Sequence, residues 1–481
     1  MDHPNSTMKE NKKMSLGALI GITVAFFASV RPVPQVAGAG WTQIAYMMIA
    51  AVFFALPVAL MSAELSTTYP EKGGSQVWIS RALGEKWSFV STVLLMLMMM
   101  VAMVMILTSV SALVGEIIGN DMLGENNILS FFIVIGVFWL LTLLSLKVNV
   151  LKYTSIGAAI GVYIPFAVLT LLSIAYLVKN GIRADSLLTS FAPSKLFPDF
   201  AHPQTISTLA AVVFIFAGVE MSSVHVNEID NPTKNYPIGV CIAVLGVTLI
   251  SILAGLGTAN ANTEVGIRPD NVVDTFRIMV EDLGLPGILI NLMALCILLG
   301  ILAQVSSWIL GPCQSLLAIA KSGMLPKALQ VTDHNDNPSG IILMQAIGVT
   351  VFALPLLLFK DVNEVFNVLT TTSTLFYCLI YVMISISAIR LRYQDANAVR
   401  PFRIGNKGNA FMWCCAGIVL FINLATILIG LLMPPAHVTP EEVTGYRIIQ
   451  IVATSLAVAL PLLVYRFRKP QWKNIPGSEK K

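Results

Sequence analysis

Long apolar runs recur along the whole chain, and they constrain its fold more than any other feature. The chain has 481 residues, of which 56% are hydrophobic and 12% are charged. An apolar run of 18 or more residues is long enough to cross the hydrocarbon core of a bilayer as a helix. Soluble domains carry about twice this charged fraction. The sequence therefore predicts an all-α protein that crosses the membrane many times.

Twelve such runs are separated by polar stretches, and each predicts one transmembrane helix. The predicted helices cover 15–38, 41–65, 88–118, 128–146, 154–178, 206–227, 238–259, 286–320, 339–360, 364–390, 410–433 and 446–466. If the N-terminus lies inside the cell, most of the 30 Lys and Arg residues fall in segments on the cytoplasmic side. This is the distribution of positive charge expected of a multi-pass protein. We therefore expect a protein of the cell membrane (the inner or plasma membrane) with both termini in the cytoplasm.

The first and sixth predicted helices are both interrupted near their middle. Residues 29–38 read "SVRPVPQVAG", and residues 215–223 read "IFAGVEMSS". The two prolines predict that the first helix stops there, since proline cannot continue a helical hydrogen-bond ladder. Because the interruptions lie five helices apart, two five-helix units would insert in opposite orientations, which is an inverted repeat. The predicted divisions are a cytoplasmic N-terminal tail (1–14), a first repeat unit (15–178), a second repeat unit (206–390), helices 11 and 12 (410–466) and a basic cytoplasmic C-terminal tail (467–481).

A broken helix inside a membrane exposes backbone groups that protein, water or a ligand must satisfy. Amides at a helix start favour a carboxylate, and carbonyls at a helix end favour an ammonium group or a cation. An amino acid offers both groups, so two matching breaks favour an amino acid site. The alternative is that Pro32 and Pro34 only kink the helix, as prolines in membrane helices often do.

Three charged residues are candidates for more specific roles. Arg31 carries a charge at a depth where it is expensive, so it faces either the cavity or, by extending its long side chain, the outer membrane surface. Glu220 lies in the sixth helix, where its charge needs a partner. Glu64 lies near the end of the second helix, as either a gating ion-pair partner or a solvated helix end. We assign Glu64 and Glu220 to gating or coupling.

The eighth and tenth predicted helices supply further candidates. Gln304 and Trp308 are four residues apart and therefore share a helix face. Such a pair either lines a cavity or joins two helices. The candidate substrate-binding residues are Arg31, Pro32, Pro34, Gln35, Phe214, Phe216, Ala217, Gly218, Gln304, Trp308, Ser373 and Tyr377.

Nothing in the sequence indicates enzymatic chemistry. The five histidines are scattered, the six cysteines lie in apolar runs without metal-ligand spacing, and no Walker-type loop is present. Basic residues are spread over short loops, which does not indicate nucleic acid binding. We expect no catalytic residues, no metal and no cofactor. The expected partners are small amino acid and amine substrates and the lipid bilayer.

Three stretches resemble the amino acid–polyamine–organocation (APC) transporter superfamily, and within it the glutamate/γ-aminobutyrate antiporter branch. They are "LPVALMSAELSTTYPEKGGSQVWISRALGEKWSF" (56–89), "FAGVEMSSVHVNEIDNPTKNYP" (216–237) and "LGILAQVSSWILGPCQSLLAIAKSGMLP" (299–326). The resemblance implies twelve helices, a five-plus-five inverted repeat with helices 1 and 6 broken, and alternating access. It also implies exchange of an external amino acid for an internal amine or related amino acid, and functional pairing with a cytoplasmic amino acid decarboxylase.

The chain differs from acid-resistance members of this branch in its eighth helix and its tail. Those members carry an acidic residue where this chain has Gln304, whose amide does not titrate. They can also carry a long C-terminal tail, whereas here about fifteen residues follow the twelfth predicted helix. Two alternatives to an exchanger stay open. One is a proton-coupled amino acid importer of the same fold, and the other is a membrane receptor that binds without transporting.

Overall fold

The computed structural model describes most of the chain, and the regular secondary structure in the described parts consists of helices. It describes residues 13–71, 73–120, 123, 126–147, 157, 159–189, 191–199, 205, 208–209, 212–213, 215–261, 272–333, 336–358, 362–405, 408–433 and 443–473. In chain order the α-helices are α1 (Leu16–Phe27), α2 (Val33–Ala37), α3 (Gly40–Thr68), α4 (Ser75–Leu83), α5 (Glu85–Ile118), α6 (Asn127–Lys147), α7 (Ala159–Asn180), α8 (Pro232–Ala261), α9 (Val273–Asp282), α10 (Ile288–Met324), α11 (Ser339–Leu357), α12 (Val362–Gln394), α13 (Ala410–Leu432) and α14 (Val443–Arg466).

Ten described helices are long and apolar enough to cross a membrane: α3, α5, α6, α7, α8, α10, α11, α12, α13 and α14. They correspond one by one to ten of the twelve predicted helices. The remaining two predictions are the first and the sixth, which were expected to be interrupted. The predicted fold class, an all-α polytopic membrane protein, is therefore confirmed. The boundaries of the two repeat units stay predictions.

The first predicted helix is broken between Ala28 and Pro32, but its prolines do not end the first half. Helix α1 stops at Phe27, and Ala28 is already extended with ψ of 136°. Pro32 is instead the N-cap of α2, and Pro34 lies in its first turn. Proline suits a helix start because the backbone amide it lacks has no acceptor there. The expectation that the prolines stop the helix was wrong, since they begin its second half.

Helix α5 forms the centre of the bundle. Its most apolar window is 83% buried, and it packs against α12 and α10. Helix α4, which no apolar run predicted, follows α3 in the chain, packs against α5 and α12, and buries Trp78 and Ile79. Because nine residues are too few for a membrane-length run, α4 gives no signal on that criterion.

Two glycines let α7 and α10 approach each other closely. A Cβ built on Gly300 would lie 2.6 Å from the Cα of Gly161, and one built on Gly161 would lie 2.1 Å from the Cα of Gly300. Small residues at such crossings bring membrane helices into backbone contact. This contact holds α10, which carries Gln304 and Trp308, against the first half of the chain.

Replacing Gly300 by Ala is expected to destabilise the protein by about 1–3 kcal/mol, since the new methyl group overlaps the backbone of α7. Gly311→Ala is the matched control on the same helix, because a Cβ built there meets nothing within 4 Å. Thermal unfolding of the detergent-purified variants measures both effects. Equal unfolding temperatures for the two variants would show that the α7–α10 contact accommodates the added methyl group without a loss of stability.

Candidate functional site

The two interrupted segments, residues 28–32 and 216–218, lie against each other. The ring centroids of Phe27 and Phe216 are 6.1 Å apart. A Cβ built on Gly218 would lie 3.5 Å from the backbone oxygen of Phe26. A small cavity at this junction is lined by Ser29, Pro32, Val33, Val36, Ile215 and Ser251. The structure thus brings together two breaks that are far apart in the sequence.

Gly218 forms the break in the sixth predicted helix. Its φ of +102° is in a region that residues with a side chain rarely adopt. After it the chain continues as a 3₁₀ helix, Val219–Glu228. The amide of Gly218 donates a hydrogen bond of 2.9 Å to the hydroxyl of Tyr381 in α12. The break is therefore a fixed backbone feature, held by a side chain from another helix.

Glu220 is enclosed by two tyrosines of α12. Glu220 is 2% exposed. Its Oε1 accepts a hydrogen bond of 2.6 Å from Tyr377, and its Oε2 accepts one of 2.6 Å from Tyr381. The two tyrosine rings are 4.8 Å apart. The sequence had singled out Tyr377 but not Tyr381, although the two are one helical turn apart and share a face. Glu220 therefore connects the sixth predicted helix (206–227), called the sixth segment below, to α12.

Arg31 connects the first break to α10. Its Nη2 donates a hydrogen bond of 2.8 Å to Oε1 of Gln304, and its Nε donates one of 3.2 Å to Oγ of Ser29. The side chain is partly buried. Of the two positions the sequence left open, the structure shows the guanidinium turned toward α10. Trp308, also partly buried, follows Gln304 by one turn.

The other substrate-site candidates differ in exposure. Phe216 and Pro34 are buried, while Gln35 and Ala217 are partly buried. Ser373 is buried, and its hydroxyl donates a hydrogen bond of 2.9 Å to the backbone oxygen of Leu369 within α12. Phe214 lies outside the described residues. The structure thus groups Arg31 with Gln304, and Tyr377 with Glu220, around the paired breaks.

Glu64 belongs to a buried cluster at the C-terminal end of α3. Its residue is 1% exposed, and its two oxygens accept hydrogen bonds of 2.5 Å from Nε and Nη2 of Arg392. Arg400 Nε lies 3.4 Å from Glu64 Oε1, and the amide of Ile404 donates to Oε2 at 2.7 Å. Sequence analysis found Glu64 but not its partners, which lie in a stretch that reads as an ordinary basic loop. The cluster fastens α3 to the end of α12.

Tyr69, which directly follows α3, reinforces the same connection. Its hydroxyl donates a hydrogen bond of 2.7 Å to Asp395, the residue after α12. Burial, together with this hydrogen bond and the charge of Asp395, raises the pKa of Tyr69 to about 12. The hydroxyl therefore keeps its proton and stays a donor at neutral pH.

Within the described ranges, no group of three or more His, Cys, Asp or Glu residues could hold a metal ion. The polar groups at the two breaks are an arginine, an amide, a carboxylate, hydroxyls and backbone groups. Such a set of groups is chemically suited to hydrogen-bond a polar ligand.

Comparison with known families decides the class of this chain, because the amino acid permease family matches residues 13–455. The chain belongs to this amino acid permease family. This permease is therefore a multi-pass membrane transporter of the APC superfamily, and not an enzyme. The predicted superfamily is confirmed.

Several transporters are similar to this permease over nearly their whole length. An uncharacterized transporter of Legionella pneumophila is 29% identical over 466 residues, covering 95% of this chain and 97% of the relative. A glutamate/γ-aminobutyrate antiporter of Lactococcus lactis is 26% identical over 463 residues, with coverage of 94% and 90%. A probable agmatine/putrescine antiporter of Lactococcus lactis is 26% identical over 468 residues, with coverage of 94% and 96%.

A solved structure, the Eremococcus coleocola manganese transporter, matches this permease with a TM-score of 0.57 at 12% identity. The match covers 97% of both chains. At this identity the similarity concerns the fold alone, and it agrees with the transporter architecture described above.

Proposed function

We propose that this permease is an antiporter, which exchanges an external amino acid for an internal amine, its decarboxylation product, or for a related amino acid. The observation that carries the proposal is the meeting of two interrupted helices, residues 28–32 and 216–218, with polar side chains around them. Two of its relatives are antiporters by name. The protein would lie in the cell membrane with both termini in the cytoplasm and would work alongside a cytoplasmic decarboxylase.

The substrate would lie between the two breaks. Backbone groups at the helix starts and helix ends there would contribute to binding its carboxylate and ammonium groups. Side-chain contacts would come from Arg31 in the first break and from Gln304 and Trp308 in α10. Phe216 would cover the substrate from the sixth segment.

Two clusters would transmit or restrain the motion of alternating access. Glu220 and its tyrosines join the sixth segment to α12 at the substrate site. Glu64 and Arg392 join α3 to the end of the same helix. Because α12 is hydrogen-bonded at both clusters, it cannot tilt relative to α3 and the sixth segment without breaking hydrogen bonds to carboxylates. We therefore place the gates at these two clusters.

Counterflow in proteoliposomes tests the exchange mechanism. Vesicles loaded with unlabelled amino acid are expected to take up labelled amino acid, whereas empty vesicles take up little. The reason is that an antiporter returns to its outward-facing state only with a substrate bound. Imposed pH gradients serve as the control. Uptake into empty vesicles that follows a pH gradient would contradict exchange and indicate a proton-coupled importer. Binding without any uptake would indicate a receptor.

A further inference from the structure

Helix α8 packs along both halves of the first predicted helix and passes the break between them. Near the start of α8, a Cβ built on Gly239 would lie 2.8 Å from the side chain of Leu19 in α1. Near its end, Ala259 belongs to the same buried apolar cluster as Ala37 of α2. Ser251 lies between these two contacts and lines the cavity at the break. Helix α8 therefore forms a wall of this cavity, although the sequence singled out no residue in it.

The hydroxyl of Ser251 has no hydrogen-bond partner within the part of the chain that the structure describes. Hydroxyls inside helices often bond to the carbonyl one turn earlier. Those of Thr248 and Thr258 in α8 do so, at 2.7 Å and 2.8 Å from the backbone oxygens of Val244 and Ala254. Ser251 is 7% exposed, and a buried hydroxyl without a partner is costly. Because it borders the cavity, a molecule in the cavity is the partner available to it.

Ser29 supplies a second hydroxyl to the same cavity. Its Oγ accepts hydrogen bonds from the backbone amide and the Nε of Arg31, at 3.3 Å and 3.2 Å. These two bonds occupy both lone pairs of the oxygen. No described residue accepts the hydrogen of this hydroxyl. Ser29 can therefore only donate to a ligand, whereas Ser251 can donate or accept.

The rest of the lining is apolar and consists of Pro32, Val33, Val36 and Ile215. A charged group placed here would lose its hydration without gaining a counter-charge from the lining. An apolar group would match the four apolar residues but would leave the hydroxyls without a partner. An uncharged group that forms hydrogen bonds avoids both costs. The cavity contains about 190 Å³ of empty space, so this group is short.

We propose that Ser251 is a specificity-determining residue that hydrogen-bonds the side chain of the transported amino acid and makes the site selective for short, uncharged, polar side chains. This rests on the antiporter function proposed above. Threonine, serine and asparagine are amino acids of this class. Their α-amino and α-carboxylate groups lie at the two breaks, and their side chains extend toward α8. A site that hydrogen-bonds a substrate hydroxyl rejects the analogue without it, whereas an apolar pocket discriminates poorly between the two.

Ligand-dependent thermal unfolding of the detergent-purified, full-length permease tests this selectivity. L-Threonine and L-valine probe the hydroxyl, because they have nearly the same shape. L-Asparagine and L-aspartate probe the charge. The wild-type protein is expected to bind L-threonine at least about tenfold more tightly than L-valine, a difference of about 1.4 kcal/mol, and L-asparagine more tightly than L-aspartate. Equal or reversed affinities in either pair would overturn the proposed selectivity.

Variants of α8 test whether Ser251 is the cause. Ser251→Ala is expected to lose the preference for L-threonine while it still binds L-valine. Ser251→Val also adds a methyl group to the cavity and is expected to weaken the binding of both. Thr248→Val is the matched control and is expected to keep the wild-type preference, because the hydroxyl it removes bonds within α8 and Thr248 does not line the cavity. Unfolding temperatures without ligand show whether each variant is folded. A preference for L-threonine that persists in Ser251→Ala would overturn the role of Ser251.

Counterflow with the same amino acids separates this inference from the antiporter proposal. Exchange that does not distinguish L-threonine from L-valine overturns the role of Ser251 and leaves exchange intact. Exchange confined to charged amino acids, without a response to L-threonine or L-asparagine, has the same consequence. A binding preference that depends on Ser251 but is not accompanied by counterflow supports the contact and contradicts exchange.

Discussion

Replacing Glu64 by Gln is expected to destabilise the folded permease by about 3–5 kcal/mol, because it leaves a buried guanidinium without its counter-charge. Glu64 accepts two hydrogen bonds of 2.5 Å from Arg392, and both side chains are 2% exposed. The same carboxylate also accepts the amide of Ile404. Thermal unfolding in detergent, with size-exclusion chromatography to detect aggregation, measures the loss.

The matched control for this prediction is Glu71→Gln. Glu71 pairs with Arg81 at the surface, where both side chains are about half exposed, so its loss is expected to change stability by less than about 1 kcal/mol. Arg392→Lys is expected to fall between the two, since it keeps the charge but not the two parallel hydrogen bonds. If Glu64→Gln were as stable as Glu71→Gln, the cluster would not fasten α3 to α12.

The second large effect is expected at Glu220, where Gln should slow exchange by about tenfold or more while the protein stays folded. A hydrogen bond to a charged group contributes about 1.5–3 kcal/mol, and the carboxylate receives one from each of Tyr377 and Tyr381. Gln keeps the shape and can still bond to both hydroxyls, so the fold is retained. Exchange rates in proteoliposomes, compared at equal reconstituted protein, give the result.

Glu228→Gln provides the control for this experiment. Glu228 lies on the same 3₁₀ helix, but its side chain is 60% exposed and pairs with His225. Its exchange rate is expected to match that of the wild-type protein. If Glu220→Gln also exchanged at the wild-type rate, the tyrosine cluster would be a structural contact and the proposed gate at the substrate site would be wrong.

The helices of this permease were largely predictable because bilayer thickness imposes a minimum length on each apolar run. The same physics explains why α4 was missed, since a nine-residue amphipathic helix does not cross the bilayer and therefore contains no membrane-length apolar run. Gly218 and the prolines at positions 32 and 34 marked the two breaks correctly as regions. The role of the prolines was not predictable from their presence alone, because proline both ends helices and begins them.

The contacts of the candidate site were less predictable, since they join residues that are distant in the chain. Arg31 and Gln304 are 273 residues apart, and Glu220 and Tyr381 are 161 residues apart. Each residue type was a recognisable candidate, but no local pattern states which pairs meet. Arg392, in contrast, was not recognised as a candidate at all. A basic residue next to a loop normally lies in solvent, and only the fold reveals that this one is buried against Glu64.

We propose that the transported amino acid lies between the two interrupted helices. A cryo-EM structure of the purified permease with the amino acid that it exchanges is the most direct measurement. Ligand density is expected between residues 28–32 and 216–218, with a carboxylate oxygen about 2.7–2.9 Å from the guanidinium of Arg31. Ligand density elsewhere, with side chains filling the gap between these two segments, would contradict it.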